Sequence, residues 1–202
     1  MAKKKKSIVY PVVFMFALAL LLTLALAFLN EVTAPVVEFN QDIELKKKIL
    51  NVFDILPSDA DATTIDKTFK DNVVSEDYKG KNLYIYKRGE ETLAYAVPIN
   101  GPGLWGSISG YIGVTNDLTK TTGLEFIKQD ETPGLGGRIT EDAYKNQFRG
   151  LDISNYTDKN IVINRPASGG NIDAISGATQ TSTFVVNMIN EDLDEFIKKG
   201  VK

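Results

Sequence analysis

A long apolar segment near the N-terminus restricts how this chain can fold more than any other feature. Residues 8–29 contain no charged side chain, and the run is interrupted only by Tyr10, Pro11 and Thr23. A helix of about 20 such residues crosses the hydrocarbon layer of a membrane and satisfies its own backbone hydrogen bonds. The sequence therefore predicts a transmembrane helix over residues 8–29.

The basic cluster before this segment predicts its orientation. Residues 3–6 are four consecutive lysines, which favour a cytoplasmic N-terminus by the positive-inside rule. We expect a cytoplasmic N-terminus at residues 1–7 and an extracytoplasmic domain at residues 30–202. A cleaved signal peptide is the alternative, since residues 25–27 read Ala-Leu-Ala, although its apolar core is usually about 7–15 residues long. Both interpretations place the folded domain outside the cytoplasm.

The composition excludes several kinds of chemistry. The 202 residues include neither cysteine nor histidine, which excludes disulfides, thiolate nucleophiles, Cys/His metal sites and Ser-His-Asp triads. After the four lysines, 26 acidic residues stand against 19 basic ones, a net charge of −7 that argues against nucleic acid as a partner. Difficult chemistry in such a chain would depend on a cofactor.

The pattern of apolar residues after the membrane segment predicts an α+β domain, an antiparallel sheet with flanking helices. Pro35 is expected to break the chain, and residues 57–81 carry only a weak pattern, with a short helix or a loop at 64–69. The predicted helices are 40–56, 140–148 with Thr140 as its N-cap, and about 180–199. The predicted strands are 82–88, 92–99, 107–115, 121–129 and 160–166.

A group of hydroxyl side chains precedes the last predicted helix, where residues 171–182 read NIDAISGATQTS. One hydroxyl is enough to cap a helix, but this stretch holds Ser176, Thr179, Thr181 and Ser182. The uncovered N–H groups at a helix start also bind anions such as phosphate. The spacing fits neither a P-loop nor a dinucleotide fingerprint. The residues alone therefore leave open a simple helix cap and a phosphate site.

Within this stretch, residues 173–179 resemble the D-x-x-[ST]-G-A-[TS] flavinylation motif of the FMN-binding domain family. In that family a separate flavin transferase joins FMN to the last Thr or Ser through a phosphoester. The resemblance implies that Thr179 carries covalent FMN, and that Asp173 serves recognition by the transferase or the shape of the turn. The residues implied to lie around the phosphate are Ser176, Gly177, Ala178 and Thr181, the last being the next candidate for attachment.

Two further stretches resemble the same family. Residues 131–136, ETPGLG, resemble a loop found both in the G subunit of the Rnf complex and in the C subunit of the Na+-translocating NADH:quinone reductase. Residues 103–106, GLWG, resemble a turn of the latter protein. The alternative is that the apolar residues are core and that the glycines only turn the chain. The residues implied to surround the flavin are Leu104, Trp105 and Leu135 as apolar walls, and Glu131 and Thr132 as hydrogen-bond partners.

Together with the apolar segment, these motifs extend the resemblance over essentially the whole chain. It implies an electron-carrying subunit of an ion-translocating oxidoreductase in the cell membrane, with other membrane subunits as partners and no self-contained catalytic site. The short chain favours the Rnf complex, in which ferredoxin and NAD are the end partners, whereas the GLW turn favours the NADH:quinone reductase. Two alternatives remain open: a stand-alone extracytoplasmic FMN carrier, and a non-redox binding domain in which residues 176–179 only cap a helix.

Overall fold

The computed structural model describes residues 8–59, 61–154 and 161–199. The four lysines at residues 3–6 lie outside this range, as does the first residue of the predicted strand at 160–166. The chain divides into two compact units between Asp42 and Ile43. The first unit contains the apolar segment, and the second contains the sheet and the remaining helices.

The first helix, α1, runs without interruption from Val9 to Val52. The predicted break at Pro35 is wrong, because Pro35 lies inside α1. A proline removes one backbone N–H donor, and here the residues on both sides remain helical. The most apolar 18-residue stretch of α1 has a mean hydropathy of 2.9 and exposed side chains, so α1 is long and apolar enough to cross a membrane. The helix ends just before Asp54, whose φ is +59°.

A five-stranded antiparallel sheet forms the centre of the second unit, with its strands in chain order. The four strands predicted between residues 82 and 129 are confirmed as β2 to β5. The stretch with a weak pattern forms helix α2 (Ala62–Asn72) and the edge strand β1. The strands are β1 (Val73–Tyr78), β2 (Lys81–Arg88), β3 (Glu91–Pro102), β4 (Ser107–Thr115) and β5 (Thr121–Lys128).

The predicted helix at residues 140–148 is divided into three short pieces. They are a 3-10 helix (Gly136–Thr140), α3 (Asp142–Lys145) and a second 3-10 helix (Asn146–Phe148). Thr140 does not cap α3, since its hydroxyl donates to the carbonyl of Gly137 at 2.9 Å. The division follows from the extended backbone of Glu141, with φ −70° and ψ 144°.

The remaining predictions concern the C-terminal third of the domain. The helix expected from about residue 180 is confirmed as α4, Thr179–Lys199. The strand expected at 160–166 is shorter: β6 comprises only Asn164–Arg165 and pairs in parallel with β7, Ile172–Asp173.

Alternate residues of the sheet enter two separate cores. In β3, Tyr95, Val97 and Ile99 belong to the larger core, to which α4 contributes. Their neighbours Ala94 and Ala96 face the smaller core, which the end of α1 and helix α2 complete. Because helices cover both faces of the sheet, a binding site is expected in the loops at the ends of the strands.

The last turn of α1 lies directly on the sheet. A Cβ atom at Gly113 would meet Cγ1 of Val52 at 2.6 Å, and one at Gly123 would meet the carbonyl oxygen of Val52 at 2.9 Å. Only glycine therefore allows this close approach.

Two side chains cap the carbonyl groups at the end of α1. Nη2 of Arg149 donates to the carbonyl oxygen of Asn51 at 2.9 Å and to its Oδ1 at 2.8 Å. The hydroxyl of Thr122 donates to the carbonyl oxygen of Val52 at 2.7 Å. A positive charge at a helix C-terminus also interacts favourably with the helix dipole. These contacts fix the last turn of α1 to the domain.

Replacing Arg149 with alanine is expected to lower the free energy of unfolding by about 2 kcal/mol, because the last carbonyls of α1 lose a charged donor. Thermal unfolding of the full chain in detergent measures the effect. Arg138→Ala is the control, since within the described residues Arg138 pairs only with the exposed Glu141 at 3.2 Å and should contribute about 0.5 kcal/mol or less. Equal losses in the two variants would contradict the capping role.

Candidate functional site

Three segments meet around one open cleft of about 340 Å³. They are the turn between β3 and β4, the loop after β5, and the start of α4. The antiparallel register explains their proximity, since Ser109 of β4 lies beside Lys128 of β5, and the first two segments therefore leave the sheet at the same end. The cleft is lined by Leu104, Trp105, Glu131, Thr132, Leu135, Gly136, Gly177, Ala178, Thr179, Gln180 and Thr181.

This lining contains nine of the eleven residues that the sequence predicts for the site. They come from positions up to 77 residues apart, from Leu104 to Thr181. The two predicted residues that do not line the cleft are Asp173 and Ser176.

The carboxylate of Glu131 connects the three segments. Its Oε1 accepts hydrogen bonds from the backbone N–H groups of Leu104 at 2.8 Å and Trp105 at 3.1 Å. Its Oε2 accepts a hydrogen bond from the hydroxyl of Thr181 at 2.6 Å. The side chain is buried, with 5% of its surface exposed. In this structure both oxygens of Glu131 are therefore engaged by groups of the protein.

Two glycines allow this carboxylate to approach the backbone. A Cβ atom at Gly103 would collide with Oε1 of Glu131, and one at Gly136 would lie 2.6 Å from both Oε2 of Glu131 and Oγ1 of Thr181. Real Cβ contacts are essentially never this short. Gly103 of the GLW turn and Gly136 of the ETPGLG loop are thus required by packing around Glu131.

Three apolar side chains form the walls of the cleft and remain exposed. Leu104 is 46% exposed, Trp105 is 72% exposed and Leu135 is 47% exposed. They are not core residues, which contradicts the alternative considered for them from the sequence. Exposed apolar surface of this kind suits a flat, largely apolar ligand.

The hydroxyl side chains at the start of α4 point in different directions. Thr181 and Ser182 are buried, and the hydroxyl of Ser182 accepts from the N–H of Ile175 at 3.0 Å and donates to the carbonyl of Ala178 at 3.1 Å. Thr179, by contrast, is exposed and lines the cleft. Of the hydroxyls between residues 179 and 182, only that of Thr179 faces the cleft without a protein partner in the described part of the chain.

The backbone beside Thr179 offers hydrogen-bond donors. Within the described ranges, no protein group accepts from the N–H groups of Thr179, Gln180 or Thr181, the first three residues of α4. Gly177 precedes them with a φ of +79°, a conformation in which residues with a side chain are strained. Unpaired N–H groups and the helix dipole together form a site for an anion such as phosphate.

Asp173 and Ser176 line a second, smaller cleft of about 220 Å³ beside the same turn. The carboxylate of Asp173 pairs with Arg165 at 2.8 Å. The backbone N–H of Asp173 donates to Oε1 of Gln147 at 2.7 Å. Tyr144 also lines this cleft, and burial raises the pKa of its phenol above the ordinary value. The residues of the flavinylation-like motif at 173–179 are therefore divided between two clefts. Thr179 lines the first cleft, and Asp173 and Ser176 line the second.

Comparison with known proteins identifies the family. The sequence profile of the FMN-binding domain matches residues 103–194, a range that includes all three segments of the first cleft. The G subunit of the ion-translocating oxidoreductase complex of Methanosarcina acetivorans is 32% identical over 145 residues, which cover 70% of this chain and 70% of that protein.

The chain belongs to the FMN-binding domain family.

One further relative supports this assignment, and a solved structure shows the same fold. The C subunit of the Na+-translocating NADH-quinone reductase of Vibrio anguillarum is 33% identical over 108 residues, which cover 51% of this chain but only 42% of that protein. The crystal structure of the C subunit of the same kind of enzyme from Parabacteroides distasonis has a TM-score of 0.63 at 24% identity and covers 80% of this chain and 93% of that one. The α+β fold is therefore the fold of this family.

The structure adds two residues to the cleft of this FMN-binding domain that the sequence analysis did not single out. Gly136 ends the ETPGLG motif, and its contact with Glu131 and Thr181 explains its place there. Gln180 follows Thr179 at the start of α4 and lines the cleft. A signal for Gly136 was present, because it lies within a motif that carries the resemblance.

Replacing Gly136 with alanine is expected to lower the free energy of unfolding by about 2–3 kcal/mol, because the added methyl group would lie between Glu131 and Thr181. Gly134→Ala is the matched control in the same loop. Its φ is +73° and nothing lies within 4 Å of an added Cβ, so only backbone strain of about 1–2 kcal/mol is expected. Thermal unfolding compares the two, and a loss at Gly136 no larger than that at Gly134 would contradict the packing argument.

Proposed function

We propose that this chain is an FMN-carrying electron-transfer subunit of a membrane-bound, ion-translocating oxidoreductase of the Rnf type, with FMN joined to Thr179 through a phosphoester. The observation that carries the proposal is the position of the Thr179 hydroxyl. It is exposed in a cleft with apolar walls, next to three backbone N–H groups without protein acceptors in the described ranges.

The residues of the cleft fit FMN. The exposed apolar side chains of Leu104, Trp105 and Leu135 suit the flat isoalloxazine ring. The N–H groups at the start of α4 suit the two phosphate oxygens that remain free in a phosphodiester. When bound, FMN takes up and releases electrons.

The arrangement of hydroxyls favours Thr179 over its neighbours. Thr181, the next candidate from the sequence, donates its hydroxyl to Glu131 and is 1% exposed. Ser182 is fully buried and satisfies two backbone groups. Attachment at either would require breaking buried hydrogen bonds, whereas Thr179 requires no such change.

The chemistry of the cleft supports an electron carrier more than an enzyme with its own substrate. Glu131 is the one ionisable side chain in the cleft lining, and its oxygens are engaged by protein donors. General acid–base catalysis needs a group that can reach a substrate proton. Covalent attachment would also retain FMN outside the cytoplasm, where no cytoplasmic pool of the cofactor replaces it.

The membrane position follows from α1, which we infer to anchor the chain. The lysines at residues 3–6 favour a cytoplasmic N-terminus, so the domain would lie on the extracytoplasmic side. In a complex of this type, we propose that electrons pass from a membrane-embedded iron–sulfur centre to this FMN and on to an FMN of a neighbouring subunit, and that the complex couples this flow to Na+ or H+ transport.

The Rnf assignment is supported by the lengths of the relatives. The G-subunit relative from Methanosarcina is matched over 70% of its length, whereas the C-subunit relative from Vibrio is matched over 42%. The C subunit of the NADH:quinone reductase is the alternative. The neighbouring genes distinguish them: an iron–sulfur-rich B subunit supports the Rnf complex, and a ferredoxin-like F subunit together with a quinone-site protein supports the reductase.

Replacing Thr179 with alanine is expected to abolish covalent FMN in protein co-expressed with a flavin transferase, because the attached oxygen is lost. Thr179→Ser should retain some attachment, and Thr181→Val should retain it wherever the domain folds. In-gel flavin fluorescence after denaturation measures attachment. The tryptic peptide 160–198, which includes Arg165 because trypsin does not cleave before Pro166, should carry the mass of FMN less one water. Undiminished fluorescence in Thr179→Ala would refute the site.

The second cleft supports a role for Asp173 and Ser176 in recognition by the flavin transferase. Both are exposed and lie away from the walls that suit the flavin ring. A partner that recognises Asp173 and Ser176 would therefore contact the turn at the second cleft.

Replacing Asp173 with asparagine is expected to reduce the initial rate of flavin attachment by at least about tenfold, while the Tm stays within a few degrees because the ion pair with Arg165 is exposed. The control is Asp142→Asn, whose carboxylate is 84% exposed outside both the motif and the second cleft. The rate is measured with purified protein, purified transferase and the flavin substrate of the transferase. A normal rate in Asp173→Asn would leave the carboxylate without a role in recognition.

A stand-alone extracytoplasmic FMN carrier remains the second candidate, since the same cleft would serve it. Purification from membranes in mild detergent separates the two. Co-purification with other membrane subunits supports the complex, and isolation of the flavin-bearing chain alone supports the independent carrier. A protein that carries no flavin when co-expressed with a transferase would refute both.

A further inference from the structure

We propose that Glu131 is a positioning residue that assembles the cleft before any flavin is present, and that its charge lowers the reduction potential of the flavin held there. The first part concerns the protein alone. The second part rests on the proposed function, because it requires FMN in the cleft.

The contacts of Glu131 join the parts of the cleft that have different tasks. Leu104 and Trp105, whose N–H groups bond to Oε1, supply one apolar wall. Thr181, whose hydroxyl bonds to Oε2, belongs to the first turn of α4, where Thr179 is located. Glu131 itself begins the loop that supplies Leu135, another apolar wall of the cleft. One side chain therefore determines the distance between the walls and the attachment residue.

Protein groups closely surround the carboxylate of Glu131. Its side chain is 5% exposed, and the Cα atoms of Gly103 and Gly136 lie so close that neither position accepts a Cβ. An ionised carboxylate accepts about four hydrogen bonds, and the protein supplies three of them here. A flavin that enters the cleft thus meets a carboxylate that already accepts hydrogen bonds from the protein. The role of Glu131 is therefore to hold the loops and not to bond to the flavin.

The charge of Glu131 has no ionic partner in the described part of the chain. No basic side chain lines the cleft, and the donors to its two oxygens are backbone N–H groups and one hydroxyl. A flavin gains negative charge when it is reduced, and a buried carboxylate beside the cleft opposes that gain. Removing the charge while keeping the geometry should therefore make the flavin easier to reduce.

Glutamine provides this separation of charge from geometry. Its carbonyl oxygen can accept from the N–H groups of Leu104 and Trp105, and its amide group can donate to Thr181, because a threonine hydroxyl accepts as well as donates. Glu131→Gln should keep the connection and remove the charge. Glu131→Ala should remove both, and Thr181→Val is a milder variant that removes a single donor.

The first experiment measures hydrogen exchange at the amides of Leu104 and Trp105 in the full chain, expressed without a flavin transferase. Wild type and Glu131→Gln are expected to protect both amides, and Glu131→Ala should exchange them at least about tenfold faster. If Glu131→Ala does not fold, Thr181→Val replaces it, with an intermediate increase expected. Wild-type protection in the variant that lacks the contact would overturn the positioning role.

The second experiment measures the reduction potential of the attached flavin by spectroelectrochemical titration. Glu131→Gln is expected to have a higher potential than wild type. Glu90→Gln removes the same charge from the exposed β2–β3 turn, and its potential should equal that of wild type because solvent and salt screen a distant surface charge. An unchanged potential in Glu131→Gln would overturn the electrostatic part.

The two experiments also separate this inference from the proposed function. If wild-type protein takes up no flavin from a transferase, the proposed function fails, and the exchange rates of the two amides still decide whether Glu131 assembles the cleft. If flavin attaches normally but the amides are unprotected in wild type, the positioning role fails alone.

Discussion

The hydrogen bonds to the carboxylate of Glu131 are the interactions on which the candidate site depends. The β3–β4 turn, the loop after β5 and the start of α4 are far apart in the sequence, and the strand register brings the first two to the same end of the sheet without connecting them to α4. Their convergence on two carboxylate oxygens supplies that connection. Residues 103 and 136 are glycines because both lie so close to the carboxylate of Glu131 that any larger residue is excluded.

The sheet determines where this connection can form. The last turn of α1, capped by Arg149 and Thr122, covers one face, and α4 covers the other. Loops that carry function must then leave from the strand ends, and antiparallel pairing brings two of them to the same end. The residues that fix the end of α1 and those that build the cleft are different sets.

The sequence predicted those parts of the fold that depend on local patterns. Strands β2 to β5 have the expected apolar residues, whereas β1 has one buried side chain, Val73, and shows no pattern. The division of residues 136–148 depends on the extended backbone of Glu141, which no local pattern indicates. The motifs identified the residues of the cleft but not their directions. Residues two positions apart on a helix differ by about 200° in direction, which explains why Thr179 faces the cleft while Thr181 faces Glu131.

The exposure of Trp105 and Leu135 has a consequence for the distance over which electrons would travel. A cofactor retained only by contacts must be surrounded by protein, and the surrounding layer then separates it from any redox partner. A cofactor held by a bond at Thr179 needs no such layer, so its walls can remain open to solvent. In the proposed function, the gap between this flavin and the next redox centre would be set by how closely two protein surfaces meet, and complex assembly would thereby control the rate of electron transfer.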